Sequence, residues 1–217
     1  MSEQAVTPTE APKRKRLSSE ERREEFVQKA IEFFAEEGFS SSTRELAKRL
    51  GVTQPLLYRY FASKDELIAE VYEAVYVRRW RSDWDQMLAD RNVPLRARLI
   101  AFYQNYTDVV FQPDWMRIFL FAGLKSGEIN RRYIDRVMAR ILKPIILEYR
   151  HEAGLSGDGV SDSEVELAWS AHGGIYYYGI RTRIYGHMPP MSLDFVIETS
   201  VDSLLAGLDR YQASRDG

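Results

Sequence analysis

Cysteine is absent from the 217 residues. That excludes a disulfide framework and thiolate chemistry, and makes a reducing cytoplasm the natural home. Histidine occurs three times, at 151, 172 and 187, with no paired acidic motif beside it, so neither a metal centre nor a catalytic constellation is expected, and no cofactor. Proline (8) and glycine (13) are sparse, and little therefore interrupts helical periodicity. No apolar run of membrane-spanning length and no signal-peptide pattern occur, and a soluble, cytoplasmic protein with no membrane partner is expected. No one sign of charge dominates: the formal net charge is −2. This argues against a non-specific coat on nucleic acid and for a localised interaction face. With 45% hydrophobic residues the chain can bury a good core, in one or two domains.

Against this background the stretch from Thr43 to Lys64, TRELAKRLGVTQPLLYRYFASK, carries two short helical patterns joined at Gly51-Val52. Leu46, Ala47 and Leu50 share one face of the first, and Ser42 and Glu45 form a capping box over its first turn. Gly51 suits a left-handed position past the helix end. Thr53 suits the N-cap of the second helix, and Pro55 fits its first turn, where a missing N–H loses no partner. The second pattern runs to Phe61. This is a helix-turn-helix in sequence, the alternative being a helical corner packed inside a larger domain. Gln54, Leu56, Tyr58, Arg59 and Tyr60 crowd the N-terminal end of the second helix, the end that meets base edges in a major groove. Five basic residues (Arg44, Lys48, Arg49, Arg59, Lys64) face one acid (Glu45) across the stretch, a local excess suited to phosphates. A second capping box is read at Ser63 and Glu66, with Lys64 opening the following helix near a phosphate.

The pattern Gly-Val-Thr-x-x-x-Leu-Tyr-x-Tyr-Phe-x-x-Lys-x-x-Leu, Gly51 to Leu67 here, resembles the DNA-binding domain of the TetR family of bacterial repressors. In Thr43, Arg44, Gln54, Pro55 and Tyr58 it is similar to the repressor that gives the family its name. The resemblance implies that Arg44 and Gln54 read bases, consistent with the match of Arg to guanine O6/N7 and of Gln to adenine N6/N7. It implies phosphate contacts for Thr43, Tyr58, Tyr60 and Lys64, and an apolar contact of Pro55 with a thymine methyl. Leu56 stands where that repressor has a polar residue and Tyr60 where it has histidine, so the operator sequence is not carried over.

Around this stretch the chain divides into a basic arm (1–17), a helix-turn-helix domain (18–66) and a helical ligand-binding and dimerisation domain (67–217), an all-α fold. The arm lacks apolar periodicity and ends in Lys13-Arg14-Lys15-Arg16, which either enters a minor groove or is a solvated tail. A first helix from Ser18 to Glu37 is capped by Ser18 and Glu21; Arg22 and Arg23 at its start either touch phosphates or pair with neighbouring glutamates. The small core is read as Phe26, Ile31, Phe34, Phe39, Leu46, Leu50, Val52, Leu57 and Phe61. One long helix is expected from Lys64 towards Asp90, carrying Arg78, Arg79 and Arg81 as solvated or interdomain groups. Aromatic-rich helices follow, and a helix over Glu128–His151 should kink at Pro144. After the polar loop 154–162, the last two helices, near 161–185 and 192–211, are apolar on more than one face. That implies a partner helix pair. In the family these helices build a four-helix dimer bundle, with Ala171, Gly173, Gly174 and Gly179 permitting close approach; two-fold symmetry would also match a palindromic double-stranded DNA operator. Tyr103, Tyr106, Trp115, Phe119, Tyr133, Trp169, His172, Tyr176 and Arg181 are read as the lining of an apolar pocket for a small-molecule effector, each with ordinary core as its alternative. The function so implied is a ligand-responsive repressor, a homodimer released by its effector. The alternative is an architectural or cell-division DNA-binding protein of the same fold; no nucleophile, phosphate loop or metal motif supports an enzyme.

Overall fold

A computed structural model describes residues 18–125, 127–156 and 159–215. The expected basic arm over 1–17 lies outside the described residues. Eleven α-helices and three π-helical turns account for the described secondary structure, with no strand among the described residues. Hydroxyl side chains open six of the helices. Ser18, Ser42, Thr53, Ser63, Ser161 and Ser192 each accept the backbone N–H three residues on, satisfying donors that a helix start leaves without partners.

Helices α1 (Ser19–Glu37), α2 (Thr43–Leu50) and α3 (Gln54–Tyr58), with the start of α4 (Lys64–Tyr72), form the N-terminal head. Its core is the one read from periodicity. Phe26, Ile31, Phe34, Phe39, Leu46, Leu50, Leu57 and Phe61 are buried, and Val52 packs half-buried against them. Each such side chain contributes on the order of 1.5–3 kcal/mol. The capping boxes at Ser18/Glu21 and Ser42/Glu45 both form. That at Ser63/Glu66 forms by half: Ser63 accepts from Glu66 N, but the Glu66 carboxylate turns to the Ala62 N–H at 2.6 Å, with Arg23 3.6 Å away.

The helix expected from Lys64 to Asp90 is broken. α4 gives way to a π turn at Glu73–Val77, the chain bends over 78–82, and α5 spans Asp83–Ala89. The bend lets the cations reach carboxylates on separate elements: Arg78 lies 3.6 Å from both Glu24 and Glu70, while Arg79 grips Asp114 with bonds of 3.1 and 2.5 Å. The long C-terminal side chains then assemble around α6 (Leu95–Val110), α7 (Pro113–Lys125), α8 (Glu128–Val137), α9 (Lys143–Glu152), α10 (Asp162–Gly179) and α11 (Leu193–Ala213). Pro144 sits in the first turn of α9, directly after a π turn at Met138–Leu142. A proline there has no N–H for the helical ladder and its ring crowds the carbonyl four residues back, so a local change of winding at this point is what the sequence requires.

α10 and α11 form a hairpin joined through the turn after a π segment at Ile180–Ile184. Gly179 corrects the expectation that it opens the hairpin to a partner. It is buried, and a Cβ there would lie 2.5 Å from the Phe111 ring, so it serves the packing of α10 on the end of α6 within one chain. Head and C-terminal body meet where α1 packs on α7: Gly38, at φ 73°, faces the ring of Phe121, which a Cβ would approach to 3.1 Å. Beside this seam a cleft of about 240 Å³ is lined by Phe39, Ile68, Tyr72, Ala122, Ile129 and Arg132. Among the described residues no helix is long and apolar enough to cross a membrane.

Candidate nucleic-acid interface

Gly51 adopts φ 68°, ψ 29° after α2, and its N–H and that of Val52 return to the carbonyls of Lys48 and Ala47 at 3.1 and 3.0 Å. This closes α2 and swings the chain so that α3 begins beside the start of α2. α3 is shorter than its pattern suggested, ending at Tyr58; Arg59 to Phe61 continue as a tightened turn bonded to the carbonyls of Pro55, Leu56 and Leu57.

On the outer side of this unit Arg44, Thr53, Pro55, Tyr58 and Arg59 are exposed, and Thr43, Gln54, Leu56, Tyr60 and Lys64 are half-buried. Gln54 Nε2 donates to Thr43 Oγ1 at 2.9 Å, and that oxygen lies 3.1 Å from Tyr58 OH. Arg44, Lys48 and Arg59 form no ion pair among the described residues, whereas Arg49 pairs with Glu36 at 2.5 Å. Two of the expected DNA-facing residues also serve the head itself. The Tyr60 ring meets Phe26 edge-on at 5.1 Å. Lys64 donates to the carbonyls of Phe39 and Ser41, each at 2.5 Å, tying the α1–α2 connection to α4 and leaving one of its three N–H groups for an outside acceptor. Burial, then the nearby Lys125 charge, lower the Lys64 pKa from its ordinary value.

In the C-terminal body most of the residues expected to line a pocket do come together, as a packed aromatic cluster. Trp115 stacks on Phe119 at 5.3 Å and meets Tyr133 edge-on at 5.0 Å and Tyr176 at 6.2 Å. Tyr106 lies 5.3 Å from His172, which touches Tyr103 and Trp169. The phenols of Tyr106 and Tyr133 share a hydrogen bond of 2.8 Å. Arg181 turns to Tyr177 and Tyr178, its guanidinium 5.7 and 5.6 Å from their rings.

Three aromatics that fall within the helix expected from Lys64 to Asp90 belong to this cluster. Tyr76 touches Trp115, Phe119 and Tyr133 and donates to Trp115 O at 3.1 Å; Trp80 and Trp84 extend it towards Tyr133 and Tyr106. The signal that could have found them is the spacing Tyr72-Tyr76-Trp80-Trp84, every fourth residue on one helical face. Burial raises the pKa of Tyr76, Tyr103, Tyr106, Tyr133 and Tyr176 and lowers that of His172 to about 4, so the cluster is uncharged at neutral pH. Trp80 Nε1, Trp84 Nε1 and Tyr176 OH are buried with no hydrogen-bond partner among the described residues.

Residues 26–71 match the family model of bacterial regulatory proteins, tetR family. Over 185 residues the chain is 26% identical to an HTH-type transcriptional regulator of Mycobacterium tuberculosis, covering 82% of this chain and 73% of that one. The HTH-type transcriptional repressor NicS of Pseudomonas putida is 28% identical over 64% of this chain and 67% of its own length. The HTH-type transcriptional activator FasR of Mycolicibacterium smegmatis is 36% identical over 46% of this chain and 50% of its own. A TetR-like transcriptional regulator from Rhodococcus sp. RHA1 shares the fold with a TM-score of 0.64 at 20% identity, over 89% of this chain and 99% of that one. Residues 26–71 thus carry the helix-turn-helix of the bacterial tetR regulatory proteins, and the chain shares its helical fold with a TetR-like regulator along most of its length.

Proposed function

We propose that this transcriptional regulator is a repressor that binds a palindromic operator as a homodimer and is released by a small, uncharged, largely apolar effector. The observation that carries the reading is the exposed face of α2 and α3, where Arg44, Lys48 and Arg59 stand around Gln54 without ion-pair partners among the described residues. On it Arg44 and Gln54 read bases, Pro55 and Leu56 meet thymine methyls, and Thr53, Tyr58, Arg59, Tyr60 and the remaining N–H of Lys64 hold phosphates. The head comprises 18–66 and the effector and dimerisation domain 67–217, with α4 crossing between them.

The effector enters the aromatic cluster. Among the described residues two indole N–H groups and one phenol there lack hydrogen-bond partners, and the carboxylates of Asp114 and Asp85 beside them are already matched by Arg79 and Arg140. That favours a neutral molecule with hydrogen-bond acceptors. A ligand that parts α7 from its neighbours is felt by the head through the Gly38–Phe121 contact, and its effect equals its difference in affinity for the two head arrangements. Dimerisation uses the solvent-facing stripe of α10 at Glu166, Ser170, Gly173, Gly174 and Tyr177 and the matching face of α11. Repression rather than activation is favoured because the alignment with the repressor relative spans more of this chain than that with the activator. A cytoplasmic location follows from these roles.

The test is selection of bound sequences from a random DNA pool by the purified protein at two salt concentrations. Two half-sites about one helical turn apart are the expected result. Binding without an enriched motif, fading only with salt, would overturn the operator reading in favour of an architectural protein.

A further inference from the structure

Thr43 opens α2 and Gln54 opens α3, and the left-handed Gly51 turn brings these two helix starts side by side. Tyr58 lies one helical turn beyond Gln54 on the same face. The three side chains form one chain of hydrogen bonds, Gln54 Nε2 to Thr43 Oγ1 at 2.9 Å and Thr43 Oγ1 to Tyr58 OH at 3.1 Å. The hydrogens can be counted. Gln54 has two amide hydrogens and each hydroxyl has one. One amide hydrogen goes to Thr43 and one hydroxyl hydrogen joins Thr43 to Tyr58, whichever of the two donates it. Left over are one Gln54 N–H, the Gln54 Oε1 acceptor and a single hydroxyl hydrogen.

We propose that Thr43 is a positioning residue for base readout, holding the Gln54 amide in one place before DNA arrives. This rests on the proposed reading of Gln54 as a base contact. An unanchored glutamine side chain spreads its amide over several rotamers. Held on Thr43 by a hydrogen bond, the amide keeps one place beside the start of α2. The remaining N–H and Oε1 are the pair that adenine N7 and N6–H require. The leftover hydroxyl hydrogen, on Tyr58 or Thr43, is free for a phosphate oxygen at the same position. Thr43 thus acts through Gln54, a role different from the direct phosphate contact that the family resemblance implies. This placement is established in the free protein, which removes a rotational cost from binding.

The test compares the base-preference profiles of the full-length wild type, Thr43→Val, Thr43→Ser, Gln54→Ala and the double variant Thr43→Val/Gln54→Ala on the selected operator and all its single-base variants. Valine keeps the shape and branching of threonine and lacks only the oxygen. The expected result is that Thr43→Val loses about tenfold of the preference at one base pair per half-site and keeps the other positions. Thr43→Ser should retain the preference, and the double variant should match Gln54→Ala. If Thr43→Val instead weakens every sequence by the same factor while Gln54→Ala relaxes one pair, Gln54 reads but Thr43 does not position it, and the proposal is overturned. If Gln54→Ala leaves the profile unchanged, the reading beneath the proposal falls and takes it along. Circular dichroism melts of each variant separate these outcomes from loss of folding.

Discussion

His172 is one residue whose surroundings turn into a measurable pH dependence. It is 7% exposed, packed among Tyr103, Tyr106 and Trp169, with only a 3.5 Å contact from Nδ1 to Tyr103 OH. Burial lowers its pKa from 6.5 to about 4. Between those values the unfolded chain takes up a proton that the folded chain refuses, so stability falls as the pH drops through that window. The share of this one group is on the order of 3 kcal/mol by pH 4. His172→Leu keeps the apolar packing and removes the titration. Urea midpoints measured at pH 7 and pH 4.5 should therefore differ less in the variant than in the wild type, and an equal difference in both would show that His172 is not the group responsible. Lys64 teaches a different lesson at this scale. Its position in the family pattern was legible, but not that Phe39 and Ser41 carbonyls would occupy two of its hydrogens, because those partners lie far off in sequence.

Between elements, the joint holding α9, α10 and α11 is a buried ion pair. Arg150 donates to the Glu164 carboxylate through Nε at 2.8 Å and Nη2 at 2.6 Å, while Gln212 Nε2 and the Ser161 N–H and hydroxyl each donate to it at 2.8 Å. Burial pushes the Glu164 pKa up, but the Arg150 and Ser161 hydrogen bonds outweigh it and hold it at about 2. The stability this supplies is present above the ordinary carboxylate value of 4.5 and is lost as pH falls towards 2, a window below that of His172. Arg150→Met leaves the carboxylate buried without its cation and should cost about 3–5 kcal/mol in a urea melt. Adding Glu164→Gln neutralises the stranded group and should recover part of that loss; no recovery would mean that the lost packing of Arg150, not the charge, is what mattered.

Helix starts were the most legible feature at this level, since a hydroxyl and a following glutamate act locally. The α1–α4 core was legible for the same reason: its periodicity needs no distant partner. The breaks were not. The bend over 78–82 brings Arg79 to Asp114 and Arg78 to Glu24, and the π turn at Glu73–Val77 with that bend places Tyr76 and Trp80 against α7 and α8. Apolar spacing alone continues smoothly through both, so the connecting helix was read too long and its aromatics were assigned to a link instead of the cluster. The residues of the aromatic cluster were picked out by type, yet a pocket is decided by shape as well, and shape comes from those same long-range contacts.

At the scale of the whole molecule, the proposed reading of a palindromic operator requires two heads held at a fixed spacing, and the α10–α11 hairpin is the element that would hold them. Its glycines divide by environment. Gly179 faces Phe111 within the chain, Gly174 has only Ser200 Oγ at 3.9 Å, and Gly173 is exposed with nothing within 4 Å of where a Cβ would stand. A large side chain at Gly173 therefore meets no obstacle in one subunit, and leaving glycine in mid-helix gains up to about 1 kcal/mol of helix propensity. In a dimer that closes over this stripe the same side chain would collide with the partner helix. Gly173→Leu is thus expected to keep the helical content and melting temperature of the single chain, to sediment as a monomer where the wild type sediments as a dimer, and to lose binding to the full palindrome by a hundredfold or more, on the order of 3 kcal/mol, while a half-site is bound as weakly as before. A variant that remains dimeric and holds the palindrome would move the subunit contact off this face, and with it the geometry by which movement in the aromatic cluster could change the distance between the two α3 helices.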